Sequence, residues 1–289
     1  MKFVLFLALS VITNPIIASE EFGCLPDSDL KYETSGFKGL DNREKTDDII
    51  RDFKRVFAPY VKDKLGKELK IMNDWENPKV NAHATKDDNG NPLIKLNGGM
   101  VRHPEMKTEG IYFILCHELG HFFGGAPRQY RGRSERRSWS SAEGQADYFA
   151  ATKCLPKLFD QLALTGAHDN LIADPADQKE VDKICSDRIC SKILLAGLSA
   201  TKVFSTLKPW WKTPSFKTPN KSRVGLTELG HPDPQCRLDT IVSGSFCHKR
   251  DVDFHPTNPS IGACLKQESQ RRLEGSRPNC WYKHEASFE

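Results

Sequence analysis

The spacing of hydrophobic residues predicts a first helix and a pair of strands. In TDDIIRDFKRVFAPYV, apolar residues recur every three or four positions, which is typical of an amphipathic helix, and we expect Pro59 to end or kink it. The residues VNAHAT (80–85) and PLIKLNGGMV (92–101) are typical of two strands, and the Asn89-Gly90 pair between them favours a hairpin. A pair of strands therefore precedes a series of hydrophobic helices.

Three hydrophobic segments predict the helices of the core. TEGIYFILCHELGHFFGG, with Thr108 as its cap, is apolar on most sides, which indicates a buried helix that ends at Gly124. SSAEGQADYFAATKCL is predicted to form a second helix, capped by Ser140 or Ser141 and ended by Pro156. SKILLAGLSATKVFSTL is predicted to form a third helix.

Two regions lack such periodicity. The stretch from Arg128 to Arg137 carries few apolar residues and is predicted to be a solvated loop. From residue 208 to the end, the chain is rich in Pro, Cys and aromatic residues, which predicts irregular structure held by disulfides rather than a second domain. The whole pattern predicts one α+β domain over residues 20–289.

The N-terminus has the pattern of a secretory signal peptide. Lys2 precedes an apolar run, and the small residues Ala18 and Ser19 follow it. The run is too short to span a bilayer comfortably, so we predict that residues 1–19 are removed and that the mature chain is soluble, either secreted or periplasmic. An uncleaved membrane anchor is the alternative. The formal net charge of +4 is too small to indicate a nucleic-acid-binding protein.

The cysteines agree with export. Exported chains tend to oxidise their cysteines in pairs, and the chain has nine, so at least one is unpaired. We expect Cys116 to be free, because a thiol inside the apolar helix packs as a small hydrophobic group. The other eight would form four disulfides of undefined connectivity. Cys185 and Cys190 are alternatively half of a structural zinc site, although no second closely spaced Cys/His pair accompanies them.

The buried helix contains the sequence HELGH. His117 and His121 are four residues apart, so both imidazoles lie on one face of the helix and point to a common position. Glu118 is rotated by about 100° from His117, which places its carboxylate beside a metal ion rather than on it. Two histidines and one carboxylate leave zinc an open position for water, from which Glu118 can take a proton. The alternative is a pair of core histidines that bind no metal.

An acidic pair follows where a third ligand is needed. Glu143 lies 22 residues after His121, which is enough for a loop and a return on an antiparallel helix. Glu143 can complete a site of two histidines and one glutamate. Asp147, four residues further, lies on the same face and can accept the ring N–H of a liganding histidine. A solvated acidic helix face is the alternative for this pair.

The HExxH sequence followed by a helix with E-x-x-x-D resembles the gluzincin zinc peptidases, and within them the CAAX-prenyl-protease and HtpX-like family. VNAHA resembles that family's strand at the edge of the active-site cleft. The resemblance implies that an extended substrate pairs with this strand, at Asn81, Ala82, His83 and Ala84. His83 stands where the family usually has an aromatic residue, which implies a changed substrate pocket.

The segment HPDPQCR resembles the family's late His-Pro element. The resemblance implies that His231 stabilises the oxyanion and that Arg237 props the site. It also implies a zincin-like fold with one Zn²⁺ per chain, in which a small antiparallel sheet packs on the HExxH helix. The matching motifs lie in residues 75–240, and the Cys-rich tail over residues 241–289 has no counterpart that we can assign.

These patterns predict an exported zinc metalloendopeptidase that acts on a protein or peptide substrate and binds no nucleic acid. Glu118 would activate water and then protonate the leaving amine. Two alternatives stay open. One is a zinc hydrolase of cell-wall peptides, which would use the same ligands. The other is a zinc-stabilised binding module whose site is held shut by the tail or by a pro-segment.

Overall fold

The fold is described from a computed structural model, in residues 22–34, 43–130, 136–165, 173–265 and 275–284. The predicted signal peptide lies outside these residues. Helices and small sheets are mixed along the chain, so the α+β class is confirmed. Within the described residues, no helix is both long and apolar enough to cross a membrane.

Four strands form the main sheet. Their spatial order is β1 (Phe22–Gly23), β3 (Ala82–Lys86), β4 (Pro92–Asn97) and β2 (Lys70–Asp74). The predicted hairpin of β3 and β4 is confirmed, and β1 pairs antiparallel with the other edge of β3. However, β2 runs parallel to β4, so the prediction of an antiparallel sheet is wrong. A parallel neighbour is separated from its partner along the chain and leaves no local turn signal.

The first helix is longer than its sequence pattern indicates. Helix α1 (Arg43–Leu65) continues past Pro59, which lies inside it. Ile50, Phe53, Phe57 and Val61 are buried on one face, so the same hydrophobic contacts continue on both sides of the proline. Packing of that face outweighs the loss of one backbone hydrogen bond.

The helix that carries HELGH lies at the centre of the core. After the short α2 (Gly98–Val101), α3 (Thr108–Phe123) runs through the interior, with every residue from Glu109 to His121 buried. Thr108 is the first helical residue rather than its cap, which is Lys107 and makes no side-chain cap bond. The helix is followed by Gly124, as predicted.

A hairpin and a composite helix follow α3. The Arg-rich stretch was predicted to be a loop, but its ends form β5 (Arg128–Tyr130) and β6 (Arg137–Ser141), which pair antiparallel. Residues 131–135 lie outside the described residues. The serines of β6 at 138, 140 and 141 are buried although they are polar, so hydrophobic periodicity did not mark this strand.

Helix α4 (Glu143–Phe149) starts after Ala142, so Ser140 and Ser141 are not its cap. A π-helical turn (Ala150–Cys154) joins it to α5 (Leu155–Leu164), and the predicted end at Pro156 is wrong. Pro156 lies at the start of α5, directly after the π-helical turn. The wide turn before it lets the chain continue as a helix.

The remaining helices close the core around α3. They are α6 (Pro175–Ile184), α7 (Arg188–Ser205) and α8 (Pro234–Ser245). Helix α7 is the predicted third helix and packs along α3, while α8 packs on α7 and α4. The last described residues, 275–284, have no regular helix and pack back onto α4 and α8.

The disulfides correct one prediction. The four bonds are Cys116–Cys154, Cys185–Cys190, Cys236–Cys280 and Cys247–Cys264. Cys116 was predicted to be free, but the π-helical turn brings Cys154 to a Cα–Cα distance of 5.6 Å from it. Cys24 is the free cysteine, and it is buried. Cys185 and Cys190 bond to each other, which excludes the structural zinc site considered for them.

Candidate metal centre

Helices α3 and α4 bring three predicted ligands together. His117 Nε2 lies 3.2 Å from Glu143 Oε2, and His121 Nε2 lies 3.7 Å from Glu143 Oε1. One ligand atom from each of the three residues lies within 4.8 Å of the others. In a tetrahedral zinc site with bonds of 2.0–2.1 Å, neighbouring ligand atoms are roughly 3.4 Å apart. The cluster therefore has the dimensions of a metal site.

The second nitrogen of each histidine fixes the direction of the first. His117 Nδ1 lies 2.8 Å from Asp147 Oδ1, and His121 Nδ1 lies 3.1 Å from the carbonyl oxygen of Ser141. A carbonyl oxygen and a carboxylate accept hydrogen bonds, so both Nδ1 atoms carry the proton. Burial also lowers the pKa of His121 to about 4. The Nε2 lone pair of His121 is then available at neutral pH. For His117, burial lowers the pKa, but Cys24 and Asp147 outweigh it and hold the pKa above its ordinary value, so a metal ion would displace a proton from its Nε2.

Several buried atoms of the cluster make no hydrogen bond. They are His117 Nε2, Glu143 Oε2 and both carboxylate oxygens of Glu118. Leaving a buried polar atom without a partner costs about 1–3 kcal/mol, more when it is charged. A cation at the common point of the ligands would satisfy His117 Nε2 and Glu143 Oε2, so these residues fit a metal ion.

Glu118 lies beside the three ligands rather than among them. Its Oε2 is 4.0 Å from His121 Nε2, and the side chain is fully buried. Burial raises the pKa of this carboxyl to about 8, because removal from water disfavours its charged form. Burial acts on Glu143 in the same way, but His231, His121 and His117 outweigh it and hold the pKa of Glu143 below its ordinary value. The two carboxylates therefore differ in their readiness to take a proton.

Behind His117, Asp147 pairs with a buried arginine. Arg237 donates from Nε to Asp147 Oδ2 and from Nη2 to Asp147 Oδ1, both at 2.8 Å. Burial raises the pKa of Asp147, but the opposing effects of Arg237 and His117 are larger together, so the pKa lies below its ordinary value. Asp147 thus remains an anion that holds the His117 ring, and Arg237 of helix α8 holds Asp147.

A glycine allows the two helices to approach. A Cβ atom on Gly120 would lie 2.9 Å from both the Cα and the carbonyl oxygen of Ala146. Contacts this short with backbone require the helices to move apart. Gly120 and Ala146 together therefore set the separation of α3 and α4 that brings Glu143 to both histidines.

A cavity of about 450 Å³ opens next to the ligands. Its lining includes Glu143, His231, His83 and Gln129, together with residues of the N-terminal segment. His231 Nε2 is 3.5 Å from Glu143 Oε2, so this histidine lies at the mouth of the centre. Arg237, by contrast, is buried behind His117 and does not reach the cavity.

The predicted substrate strand is already paired. Of the four residues, Ala82, His83 and Ala84 lie in β3, and Asn81 directly precedes it. The outer edge of β3 is paired with β1, and the carbonyl oxygen of Ala82 accepts a hydrogen bond from the Cys24 N–H. Residues 22–24 therefore lie where a substrate strand was predicted to pair.

Three residues next to the centre were not predicted to take part in it: Cys24, Ser140 and Gln129. Cys24, one histidine nitrogen of His117 and one carboxylate oxygen of Glu118 lie within 4.8 Å of one another. Ser140 Oγ is 2.9 Å from His121 Nδ1, and Gln129 donates to the Leu229 carbonyl oxygen. The odd number of cysteines was the only signal for Cys24, and nothing in the sequence marks the other two.

Comparisons of the chain with protein-family models, with curated proteins and with solved structures find no match. The functional argument consequently depends on the residues of the centre.

Proposed function

We propose that this chain is an exported, zinc-dependent metalloendopeptidase of the gluzincin type, with a zincin-like fold. The observation that carries the proposal is the convergence of His117, His121 and Glu143, with the carboxylate of Glu118 beside them. A purely structural metal site is closed by its ligands and has no use for a further carboxylate that binds nothing. A hydrolytic site needs one as a base.

Zinc is the proposed metal because of its ligands. Two imidazole nitrogens and one carboxylate form a donor set that zinc hydrolases use, and three protein ligands leave a position open. When bound, zinc would supply a Lewis acid for the scissile carbonyl and would make water more acidic.

Glu118 takes the proton from the attacking water and then gives it to the leaving amine in this proposal. Its pKa of about 8 arises from burial in the absence of a cation. A positive charge nearby favours the carboxylate form, so a bound metal would bring this pKa down toward the range of a base at neutral pH. Once Glu118 has accepted the proton, the resulting carboxylic acid can donate it to the leaving amine.

His231 and Arg237 have different proposed parts. The cavity position of His231 suits hydrogen bonding to the oxyanion of the reacting carbonyl. Arg237 acts at one remove, through the Asp147 carboxylate that orients His117. It is a positioning residue.

An extended peptide is the proposed substrate, lying along β3 at Asn81 to Ala84 and entering the cavity beside His231. Four disulfides are typical of a chain that folds in an oxidising compartment, which agrees with the predicted signal peptide over residues 1–19. We therefore propose a secreted or periplasmic location.

The test is cleavage of an unfolded protein such as casein by the mature chain from Glu20, with metal content measured in parallel. We expect one zinc per chain and cleavage that a chelator removes and added zinc restores. Because Cys24 is buried beside the centre, the Cys24→Ser variant is tested in parallel. Bound zinc without cleavage of casein or of any peptide by either protein would contradict the proposal. Hydrolysis of cell-wall peptides without casein cleavage would assign the centre to a wall hydrolase instead.

A further inference from the structure

The first described residues of the chain lie against the metal centre and are held by it. Asn81 Oδ1 accepts a hydrogen bond from the Leu25 N–H at 3.1 Å, and Asn81 Nδ2 donates to the Leu25 carbonyl oxygen at 3.3 Å. Together with the pairing of β1 and β3, these bonds fix an extended backbone along the strand edge. A substrate strand would be recognised there through the same backbone groups.

Two further carbonyl oxygens of this segment are held by the late His-Pro element. His231 Nε2 lies 2.9 Å from the Gly23 carbonyl oxygen, and Arg237 Nη1 donates to the Cys24 carbonyl oxygen at 2.7 Å. The backbone of residues 23–25 therefore uses the groups to which the sequence assigned substrate binding or catalysis.

Cys24 lies within this segment and carries the free thiol. Cys24 is fully buried, and its Sγ, one nitrogen of His117 and one oxygen of Glu118 lie within 4.8 Å of one another. This group shares His117 with the group of His117, His121 and Glu143, so the sulfur lies next to the proposed metal position. Both oxygens of Glu118 are buried there without a hydrogen bond, and such a carboxylate favours a cation nearby. Thiolate sulfur is a strong zinc ligand and combines readily with histidine and carboxylate ligands.

We propose that residues 23–25 occupy the place of the substrate and that the Cys24 thiolate is a further ligand of the bound metal, so that the folded chain blocks its own active site. The proposal rests on the proposed function, because it concerns regulation of the same centre. On metal binding, the thiol releases its proton to solvent and a sulfur–metal bond fills the position that water would otherwise use. When the segment leaves, this bond breaks, the sulfur regains a proton and the position opens.

The predicted mature chain begins at Glu20 and so retains Cys24. The segment is held by the side chains of Asn81, His231 and Arg237, by pairing with β3 and by burial of Cys24 and Leu25, and none of these contacts involves His121 or Glu143. A reversible block of this kind would protect the cell that makes the protein from an active peptidase.

Cobalt substitution tests the thiolate ligand directly. The mature chain is loaded with Co²⁺, metal content is measured, and the near-ultraviolet absorption is recorded for a thiolate-to-cobalt charge-transfer band. We expect this band at one cobalt per chain, and we expect Cys24→Ser to lose it while still binding cobalt. The matched control is the double variant Cys185→Ser and Cys190→Ser, which removes two sulfurs outside the centre and should keep the band.

The possible outcomes separate the two proposals. One bound cobalt without the band in the parent chain would overturn the block by Cys24 and leave the metal centre standing. Failure to bind cobalt at all would overturn the centre and the block together. If Cys24→Ser does not fold, X-ray absorption of the zinc-loaded parent chain decides the question, because a sulfur neighbour at about 2.3 Å is distinct from nitrogen and oxygen at about 2.0–2.1 Å.

Activity gives a second, independent readout. A segment that leaves the site open in about a tenth of the molecules lowers apparent activity about tenfold. We therefore expect Cys24→Ser to raise kcat/KM on casein by about tenfold or more relative to the parent chain. Equal activity of the two zinc-loaded proteins would contradict the role of the Cys24 thiolate in the block, even if the peptidase itself is real, because the substitution leaves the backbone contacts of residues 23–25 in place.

Discussion

The two faces of helix α4 bury polar groups in opposite ways. On one face, Glu143 and Asp147 meet the histidines, and atoms of the centre make no hydrogen bond. On the other face, Gln145 donates to the Gly124 carbonyl oxygen and accepts from Arg277 Nε, both at 2.6 Å. Arg277 also donates from Nη1 and Nη2 to carbonyl oxygens, and its guanidinium stacks over aromatic rings. Buried polar groups that are fully bonded hold a fold together, whereas unused ones mark a place for a ligand.

The largest expected effect concerns the metal centre, where buried polar atoms make no hydrogen bond. Glu118→Gln should lower turnover about 10²–10⁴-fold, because the base is lost while the shape is kept. It should not lower the free energy of unfolding, since a buried carboxylate without hydrogen bonds is replaced by a neutral amide. Casein turnover and denaturant unfolding measure the two quantities. Glu105→Gln, an exposed carboxylate just before the same helix, is the control, and equal activity of the two variants would refute the assignment of the base.

Asp147 belongs to the metal centre and is also fully hydrogen-bonded, because it pairs with both His117 and Arg237. Asp147→Asn removes the anion that faces both His117 and Arg237. We expect about 10–100-fold weaker zinc binding, from the loss of the group that orients the histidine. We also expect about 3–5 kcal/mol lower stability, because a buried guanidinium loses its counter-charge. Chelator competition and urea unfolding give the two values. Unchanged zinc affinity would remove Asp147 from the metal centre.

The fully bonded face makes the reverse prediction. Arg277→Met should lower the free energy of unfolding by about 3 kcal/mol, because Gln145 and buried carbonyl oxygens lose their donor. Zinc affinity per folded molecule should not change, since Arg277 does not reach the ligands. The control is Arg223→Met at an exposed position, which should stay within about 0.5 kcal/mol of the parent chain. A large loss of zinc affinity in Arg277→Met would show that the two faces are coupled.

The smallest expected effect is that of metal removal on stability. At a free zinc concentration 100 times the Kd, binding adds about 2.7 kcal/mol to the free energy of unfolding, which a chelator should remove. In Glu143→Gln, the chelator should have a smaller effect, because one ligand is altered. Thermal unfolding with and without chelator measures this. An identical chelator effect in both proteins would mean that zinc stabilises the chain from another site.

Predictions from local spacing and predictions about pairing had different outcomes. The contact between His117 and Asp147 and the approach of Glu143 follow from two helical repeats, and the structure has both. The position of Cys24 could not be predicted, because β1 has only two residues and its partner is about 60 residues away. The Cys116–Cys154 bond depends on a π-helical turn that has no clear sequence signal. Local periodicity determines where ligands lie on a helix, while long-range pairing depends on the whole fold.

The proline predictions failed for a related reason. Pro59 was expected to end or kink its helix and Pro156 to end its helix, and both lie within continuous helical segments, so neither ends a helix. In each case burial of the neighbouring residues outweighs the loss of a backbone hydrogen bond at the proline.

The peptidase activity, the bound zinc ion and the roles of His231 and Arg237 stay predictions.

The close contact of Gly120 with Ala146 has a consequence for finding other chains of this kind. Only a small residue at each position allows the two helices to approach, so both should be retained wherever the centre is retained. The search pattern is then H-E-x-G-H, a loop of variable length, and E-x-x-A-D. Two short words with fixed spacing inside each could connect chains whose remaining sequences have diverged beyond alignment.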